Sequence, residues 1–188
     1  MRVIAGKFPE AVIKYSTGLE RLILYTNQGD DTAIRQVSVT VYWGDTAVGK
    51  THRVRTLFPG VYPVGKGKFP WDQYTNQDAI LFDEFNPSEW KITDLNSLCD
   101  KWSVSLQARY NNRSANWTKV FFCANSPQNK WYEGERNGAL NAAFLRRISK
   151  CFHVLKRQDA PGYNEETDCV NDMDYCKPLP IPAWAAFL

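Results

Sequence analysis

Residues that bind metals or form disulfides are scarce in this sequence. Its 188 residues include 2 histidines and 5 cysteines. The histidines, His52 and His153, lie far apart, and no two cysteines form a C-x-x-C pair. Structural zinc sites use four such ligands at short spacings, and disulfide frameworks use an even number of cysteines. We therefore expect no structural zinc, and thiols that stay reduced in a cytosolic or nuclear protein.

Long apolar runs and a strong excess of one charge are also missing. No stretch approaches the length that crosses a bilayer, so we expect no membrane partner. The net charge is +3 and 44% of the residues are hydrophobic. This composition suits one main globular domain with appendages, and its weak basicity permits contact with a polyanion without requiring it.

One glycine-rich segment matches a phosphate-binding loop at every fixed position of G-x-x-x-x-G-K-[ST]. In such loops backbone N–H groups face inward around a phosphate. Lys50 can reach the β- and γ-phosphates and assist catalysis, and Thr51 can ligate the bridging Mg²⁺. The pattern predicts a site for ATP and Mg²⁺. The predicted site residues are Gly44, Asp45, Thr46, Ala47, Val48, Gly49, Lys50 and Thr51.

A match this short can also be a glycine turn followed by Lys and Thr by chance. The flanking sequence favours the phosphate site. Residues 36–43 are rich in β-branched and aromatic residues, which is typical of a strand. Residues 51–57 contain no Gly or Pro and can begin a helix, whose N-terminus adds to an anion site.

Polar residues follow two further strand-like runs. Asp83 and Glu84 come directly after the apolar run 78–82, and Asn125 follows the run 117–124. We assign Asp83 to the metal and Glu84 to the attacking water. Asn125 is a candidate contact to the γ-phosphate or to that water. The alternatives are a pair of solvated surface acids and an ordinary Asn-Ser-Pro turn.

Basic residues form two further candidate sites. A predicted hairpin carries Arg109, Tyr110, Asn111 and Arg113, which can contact phosphates and stack on a base of single-stranded nucleic acid. The other candidate is the pair Arg146–Arg147. Each pattern is also compatible with an ordinary solvated surface.

The order of the elements predicts an α/β fold. Strand-like runs alternate with helix-like ones, including a predicted helix at 92–102, as in a mostly parallel sheet flanked by helices. We predict that residues 35–158 form this domain. A helical oligomerisation segment at 1–34 precedes it, and an irregular proline-rich tail at 159–188 follows it.

Taken together, these motifs resemble the superfamily 3 helicases, which are P-loop NTPases of the AAA+-like kind. Within them, the sequence is similar to the helicase part of the Rep proteins of circovirus-like and nanovirus-like single-stranded DNA viruses. The resemblance covers roughly residues 8–155 and includes Trp71-Asp72-Gln73-Tyr74. It implies rings, usually hexamers, with ATP between subunits, single-stranded DNA in the channel and a place in the host nucleus. It also selects Arg147 as the arginine that acts on the ATP of a neighbouring subunit.

The sequence departs from this family at three places. Asp83-Glu84 replaces the more frequent Asp-Asp, which leaves the chemistry intact. Family members normally carry a His-hydrophobe-His motif and a catalytic tyrosine for nicking, and this sequence has no such motif, so we expect it not to cut or join DNA. The family hairpin usually carries Lys followed by Gly-Gly, whereas Arg109 is followed by Tyr110-Asn111.

The leading hypothesis is an ATP-dependent DNA helicase module of viral rolling-circle replication. One alternative is a nucleotide-binding ring that regulates replication without unwinding. A less favoured one is a small P-loop phosphotransferase, for which the sequence shows no arginine-rich lid.

Overall fold

A computed structural model describes residues 34–109, 112–132, 138–155 and 169–171, with positions 7, 9, 10, 13–15, 18, 19 and 22. Those single positions are helical. The remainder of 1–33 lies outside the described residues. So does the predicted tail at 159–188, apart from 169–171.

The described chain forms strands, α-helices and two 3-10 turns. The strands are β1 (Ser38–Trp43), β2 (Tyr62–Pro63), β3 (Ala79–Phe82), β4 (Ser105–Leu106), β5 (Arg113–Ser114), β6 (Lys119–Ala124), β7 (Ile148–Val154) and β8 (Cys169–Asn171). The helices are α1 (Lys50–Leu57), α2 (Ile92–Leu98) and α3 (Gly138–Leu145), and the 3-10 turns are Pro87–Glu89 and Gln128–Lys130.

Among the described residues, six strands form the main sheet, in the order β2-β3-β6-β1-β7-β8. The first five are parallel, and β8 runs antiparallel to β7. The predicted α/β fold with a mostly parallel sheet is therefore confirmed. Strand β8 corrects one prediction, because its three residues lie in the segment 159–188 that the sequence predicts to be irregular. Pairing with the open edge of β7 gives this short segment its strand conformation.

Both faces of the sheet are buried at the inner strands β3 and β6, and alternate residues of these two strands pack on opposite faces. In β3, Ile80 and Phe82 belong to the core cluster that includes residues of α2 and α3, whereas Ala79 and Leu81 pack with Val54 of α1. This alternation follows from the two-residue period of a strand. All four residues of β3 are buried, as expected for an inner parallel strand.

Aromatic side chains fill the core on the side of α2. The buried ring of Trp117 stacks on Trp71 with a centroid distance of 5.1 Å, and Tyr74 meets it edge-on at 5.4 Å. The guanidinium of Arg35 lies 5.2 Å from the Trp117 ring centroid. The ring contacts fix the segment 71–74 to Trp117, which lies between β5 and β6.

Helix α2 is shorter than the sequence predicts, because it ends at Leu98 and not at Trp102. The buried side chain of Arg35 provides the reason. Its Nη2 donates to the carbonyl oxygens of Asp100 and Trp102 at 2.9 and 2.8 Å. Because these carbonyl oxygens accept hydrogen bonds from the buried guanidinium, the chain departs from helical geometry after Leu98.

Cys99, Cys123 and Cys151 are buried, and none of them forms a disulfide with another described residue. Among the described residues, no helix is long and apolar enough to cross a membrane.

Candidate nucleotide-binding site

The segment 44–51 forms the connection between β1 and α1. Gly44, Ala47 and Gly49 have φ angles of 147°, 66° and 90°. The Gly44 N–H donates to the Ala124 carbonyl at 3.2 Å, and a Cβ at Gly44 would stand 2.3 Å from the Val154 carbonyl oxygen. Only glycine fits this close approach of two backbones without displacing β7. The connection therefore has the strand, loop and helix order that the sequence predicts.

Lys50 is the first residue of α1, and its side chain folds back into the loop. Its Nζ donates to the carbonyls of Gly44 and Asp45 at 2.8 and 2.6 Å, and to Asn125 Oδ1 at 3.1 Å. The residue is 8% exposed, and burial lowers the pKa of its ammonium group. These three acceptors are neutral oxygens. Anionic phosphate oxygens would accept stronger, charge-assisted hydrogen bonds from the same group.

Thr51 and Asp83 meet beside this lysine. Thr51 Oγ1 donates to Asp83 Oδ1 at 2.5 Å, and the N–H of the exposed Glu84 donates to the same oxygen at 3.0 Å. Hydroxyl and carboxylate oxygens are ligands that Mg²⁺ prefers, so this pair fits the metal. Behind it, burial and the charge of Asp83 raise the pKa of Cys123 to about 12, which keeps that sulfur a neutral thiol.

The parallel register explains why these side chains converge. In the sheet β3 pairs with β6, and β6 pairs with β1. Asp83, Asn125 and the loop each follow the last residue of one of these strands. Because parallel strands end at the same edge, the structure brings the loop, Asp83 and Asn125 together at the carboxyl edge of the sheet, with Glu84 next to Asp83.

The predicted hairpin is formed by the antiparallel pair β4 and β5. Its arginines are bonded to the turn before β3. The Arg109 N–H and Nε donate to the Asp72 carboxylate at 2.8 and 2.7 Å, and Arg113 Nη2 donates to the Asp72 carbonyl at 3.0 Å. The hydrogen bonds from Arg109 lower the pKa of Asp72. The other predicted contacts, Tyr110 and Asn111, lie outside the described residues.

Arg146 and Arg147 lie directly before β7, at the amino edge of the sheet and opposite the phosphate loop. Arg147 Nη2 is 2.5 Å from Asp100 Oδ2, and its Nη1 donates to the Ala143 carbonyl at 2.7 Å and to Asn96 Oδ1 at 3.2 Å. The hydrogen bond from Arg147 lowers the pKa of Asp100. Arg146 is exposed. The structure does not bring either arginine to the phosphate loop of its own chain.

Sequence reasoning missed Asp72 and Asp100 as partners of these arginines. Asp72 appeared only as part of a resembling segment, and Asp100 was placed inside a helix. Each acid lies tens of residues from its arginine, at separations of 37 and 47. Local sequence patterns carry no signal for such pairs.

Comparison with known proteins gives two relatives and no matching family model. The chain is 26% identical over 161 residues to the replication-associated protein of Canary circovirus, covering 84% of this chain and 53% of that protein. It is 27% identical over 165 residues to the replication-associated protein of Goose circovirus, covering 85% of this chain and 52% of that protein. The chain spans about half the length of these curated relatives. Over most of its own length, it is thus similar to circovirus replication-associated proteins.

Proposed function

We propose that this chain acts in viral replication as an ATP-dependent DNA helicase module. It hydrolyses ATP to translocate on single-stranded DNA during rolling-circle replication. One observation carries the proposal: Lys50, Thr51, Asp83 and Asn125 converge at the carboxyl edge of the sheet through direct contacts. The similarity to circovirus replication-associated proteins supports the replicative role.

The site residues divide the work of ATP hydrolysis. The loop and Lys50 bind the phosphates, and Thr51 with Asp83 holds Mg²⁺, which neutralises phosphate charge when bound. Glu84, exposed next to Asp83, orients the attacking water. Asn125 contacts the γ-phosphate or the attacking water, and its hydrogen bond from Lys50 supports this role.

A complete active site requires a second subunit. Arg146 and Arg147 lie at the edge of the sheet opposite the phosphate loop of their own chain, which supports action on the ATP of a neighbour. We propose a homo-oligomeric ring, six-membered as in the resembling family, that encircles single-stranded DNA in the host nucleus. Arg147 is the candidate for the arginine that contacts the ATP of the neighbouring subunit. To do so, its side chain would have to break its ion pair with Asp100.

Subunit mixing identifies that arginine. Lys50→Ala subunits lack phosphate binding and keep both arginines. Mixed with Arg147→Ala subunits, they restore part of the ATPase activity if Arg147 acts in trans. The same mixture with Arg146→Ala subunits tests the neighbouring residue. No recovery in either mixture contradicts action in trans.

Strand displacement tests the helicase function itself. The wild-type chain with ATP and Mg²⁺ should release a labelled strand from a partial duplex, and Asp83→Asn should release none. Lys150→Ala, which changes an exposed residue of β7, is the control and should match the wild type. Hydrolysis of ATP without strand release would contradict unwinding and favour a regulatory ring.

A further inference from the structure

A cleft of about 630 Å³ lies outside the candidate nucleotide site. Its walls come from the turn after β2, from the segment that contains α2, and from residues 104–107 around β4. None of its lining residues belongs to the phosphate loop, and neither Asp83 nor Asn125 takes part. Its volume lies in the range of pockets that hold a ligand the size of a nucleotide.

Five charged side chains line the cleft, and lysines are in the majority. Lys66 Nζ is 3.5 Å from Glu89 Oε2, so these two charges largely offset each other. Within the described residues, Lys68 and Lys91 form no ion pair. The remaining acid, Asp94, lies in the first turn of α2. The ammonium groups of Lys68 and Lys91 make the cleft suited to an anionic ligand.

The turn that carries two of these lysines has a defined shape. The Gly65 N–H donates to the Pro70 carbonyl at 3.4 Å, which closes the turn. Gly67 has a φ of 109°, and a Cβ there would meet nothing within 4 Å. Glycine is therefore favoured at position 67 by the positive φ angle, and not by a lack of room for a side chain. The closed turn holds Lys66 and Lys68 at the wall of the cleft.

A rigid aromatic ring lies on the same wall as Lys91. Trp90 lines the cleft and is half-buried, and its ring meets Phe82 edge-on at 4.9 Å. Its carbonyl accepts a hydrogen bond from the Tyr132 hydroxyl at 2.8 Å. An indole held in this way offers a surface on which a nucleic acid base can stack.

The hairpin arginines, by contrast, already have partners. The Arg109 side chain is paired with the Asp72 carboxylate, and Arg113 donates to the carbonyl of the same residue. A phosphate that approached Arg109 would have to displace that carboxylate. Among the described residues, neither Lys68 nor Lys91 pairs with a carboxylate, and the Lys68 ammonium lies 5.4 Å from the ring centroid of Phe69.

We propose that this cleft binds the phosphate backbone of single-stranded DNA through Lys68 and Lys91, with Trp90 as the stacking surface for a base. Residues 104–107 also line the cleft, and Asp72 is a positioning residue that fixes the hairpin. The segment 84–91 runs from the acids after β3 to this cleft, and it provides a short covalent path between the nucleotide site and the bound strand. The inference rests on the proposed function, because it names where the translocated strand is held.

Equilibrium binding of a fluorescein-labelled oligo-dT to the full chain tests the inference. Each lysine–phosphate contact to a single strand contributes about 0.7 to the slope of log affinity against log salt. Removing both contacts in Lys68→Ala/Lys91→Ala should lower the slope by about 1.4 and weaken binding roughly 25-fold near 0.1 M salt. Asp94→Asn should tighten binding about threefold, because it removes a negative charge from the cleft.

Two exposed lysines outside the cleft supply a matched control. Lys101→Ala/Lys150→Ala removes the same charge and should leave the slope unchanged. Basal ATP hydrolysis and the thermal midpoint of the cleft variant should equal those of the wild type. If the cleft variant binds DNA like the control variant, the inference is overturned while the helicase proposal stands. If wild-type protein fails to bind the oligonucleotide, the helicase proposal itself fails.

Discussion

Replacing Arg147 by alanine should destabilise the protein, whereas the same change at Arg146 should not. The two variants remove equal charge one position apart. Arg147 loses an ion pair with Asp100 and hydrogen bonds to Ala143 and Asn96, whereas Arg146 is exposed. A hydrogen bond to a charged group contributes about 1.5–3 kcal/mol. The paired side chains are 26% and 32% exposed, so solvent weakens that contribution.

We therefore expect Arg147→Ala to lower the free energy of unfolding by about 2 kcal/mol, and Arg146→Ala to change it by less than about 0.5 kcal/mol. For a chain of this size, the larger loss corresponds to a fall in Tm of roughly 4–8 °C. Urea denaturation followed by circular dichroism measures the free energy of unfolding of each variant, and thermal denaturation measures Tm. An Asp100→Ala variant completes a double-mutant cycle with Arg147→Ala, and it should show a coupling of at least about 0.5 kcal/mol. Equal destabilisation by the two arginine variants, or no coupling, would refute this reasoning.

Three further predictions concern other contacts. Gly44→Ala places a Cβ against the Val154 carbonyl oxygen. Urea denaturation should show a loss of about 2–3 kcal/mol in unfolding free energy, and the variant should lose nucleotide binding. A variant as stable as the wild type would contradict the close contact between the loop and β7. Asp72→Ala should raise the exchange rate of the Arg109 amide about tenfold by NMR, because the hairpin loses its acceptor; an unchanged rate would mean that another contact holds the hairpin. Because the pKa of Asp100 is lowered in the folded state, its pair with Arg147 stabilises the protein above the ordinary carboxyl value of 3.8 and is lost as the pH falls through the lower folded-state value. The stability difference between wild type and Asp100→Asn should shrink over that acidic range, and a constant difference would argue against the pair.

The parts of the site that follow strands could be predicted from the sequence. The loop match, the apolar run before Asp83 and the run before Asn125 each place a polar group at a strand end. Parallel pairing then brings those ends to one edge. The prediction needed only local patterns and one rule of topology.

The remaining features depend on contacts between distant parts of the chain. Helix α2 ends early because the guanidinium of Arg35 takes the carbonyls of Asp100 and Trp102, across 65 and 67 residues. The three residues of β8 form a strand only because β7 offers an unpaired edge. The arginines Arg109 and Arg147 look like free cations in the sequence, and distant carboxylates bind both of them in the fold.

Steady-state hydrolysis of ATP by the wild-type chain and by Lys50→Ala is the most direct test of the nucleotide site. We predict Mg²⁺-dependent turnover by the wild type and a loss of about 100-fold or more in Lys50→Ala, because the variant lacks the ammonium that neutralises phosphate charge. Lys150→Ala, which removes an exposed lysine of β7, should hydrolyse ATP like the wild type. Turnover by Lys50→Ala at the wild-type rate would contradict the assignment of residues 44–51 as the phosphate-binding loop.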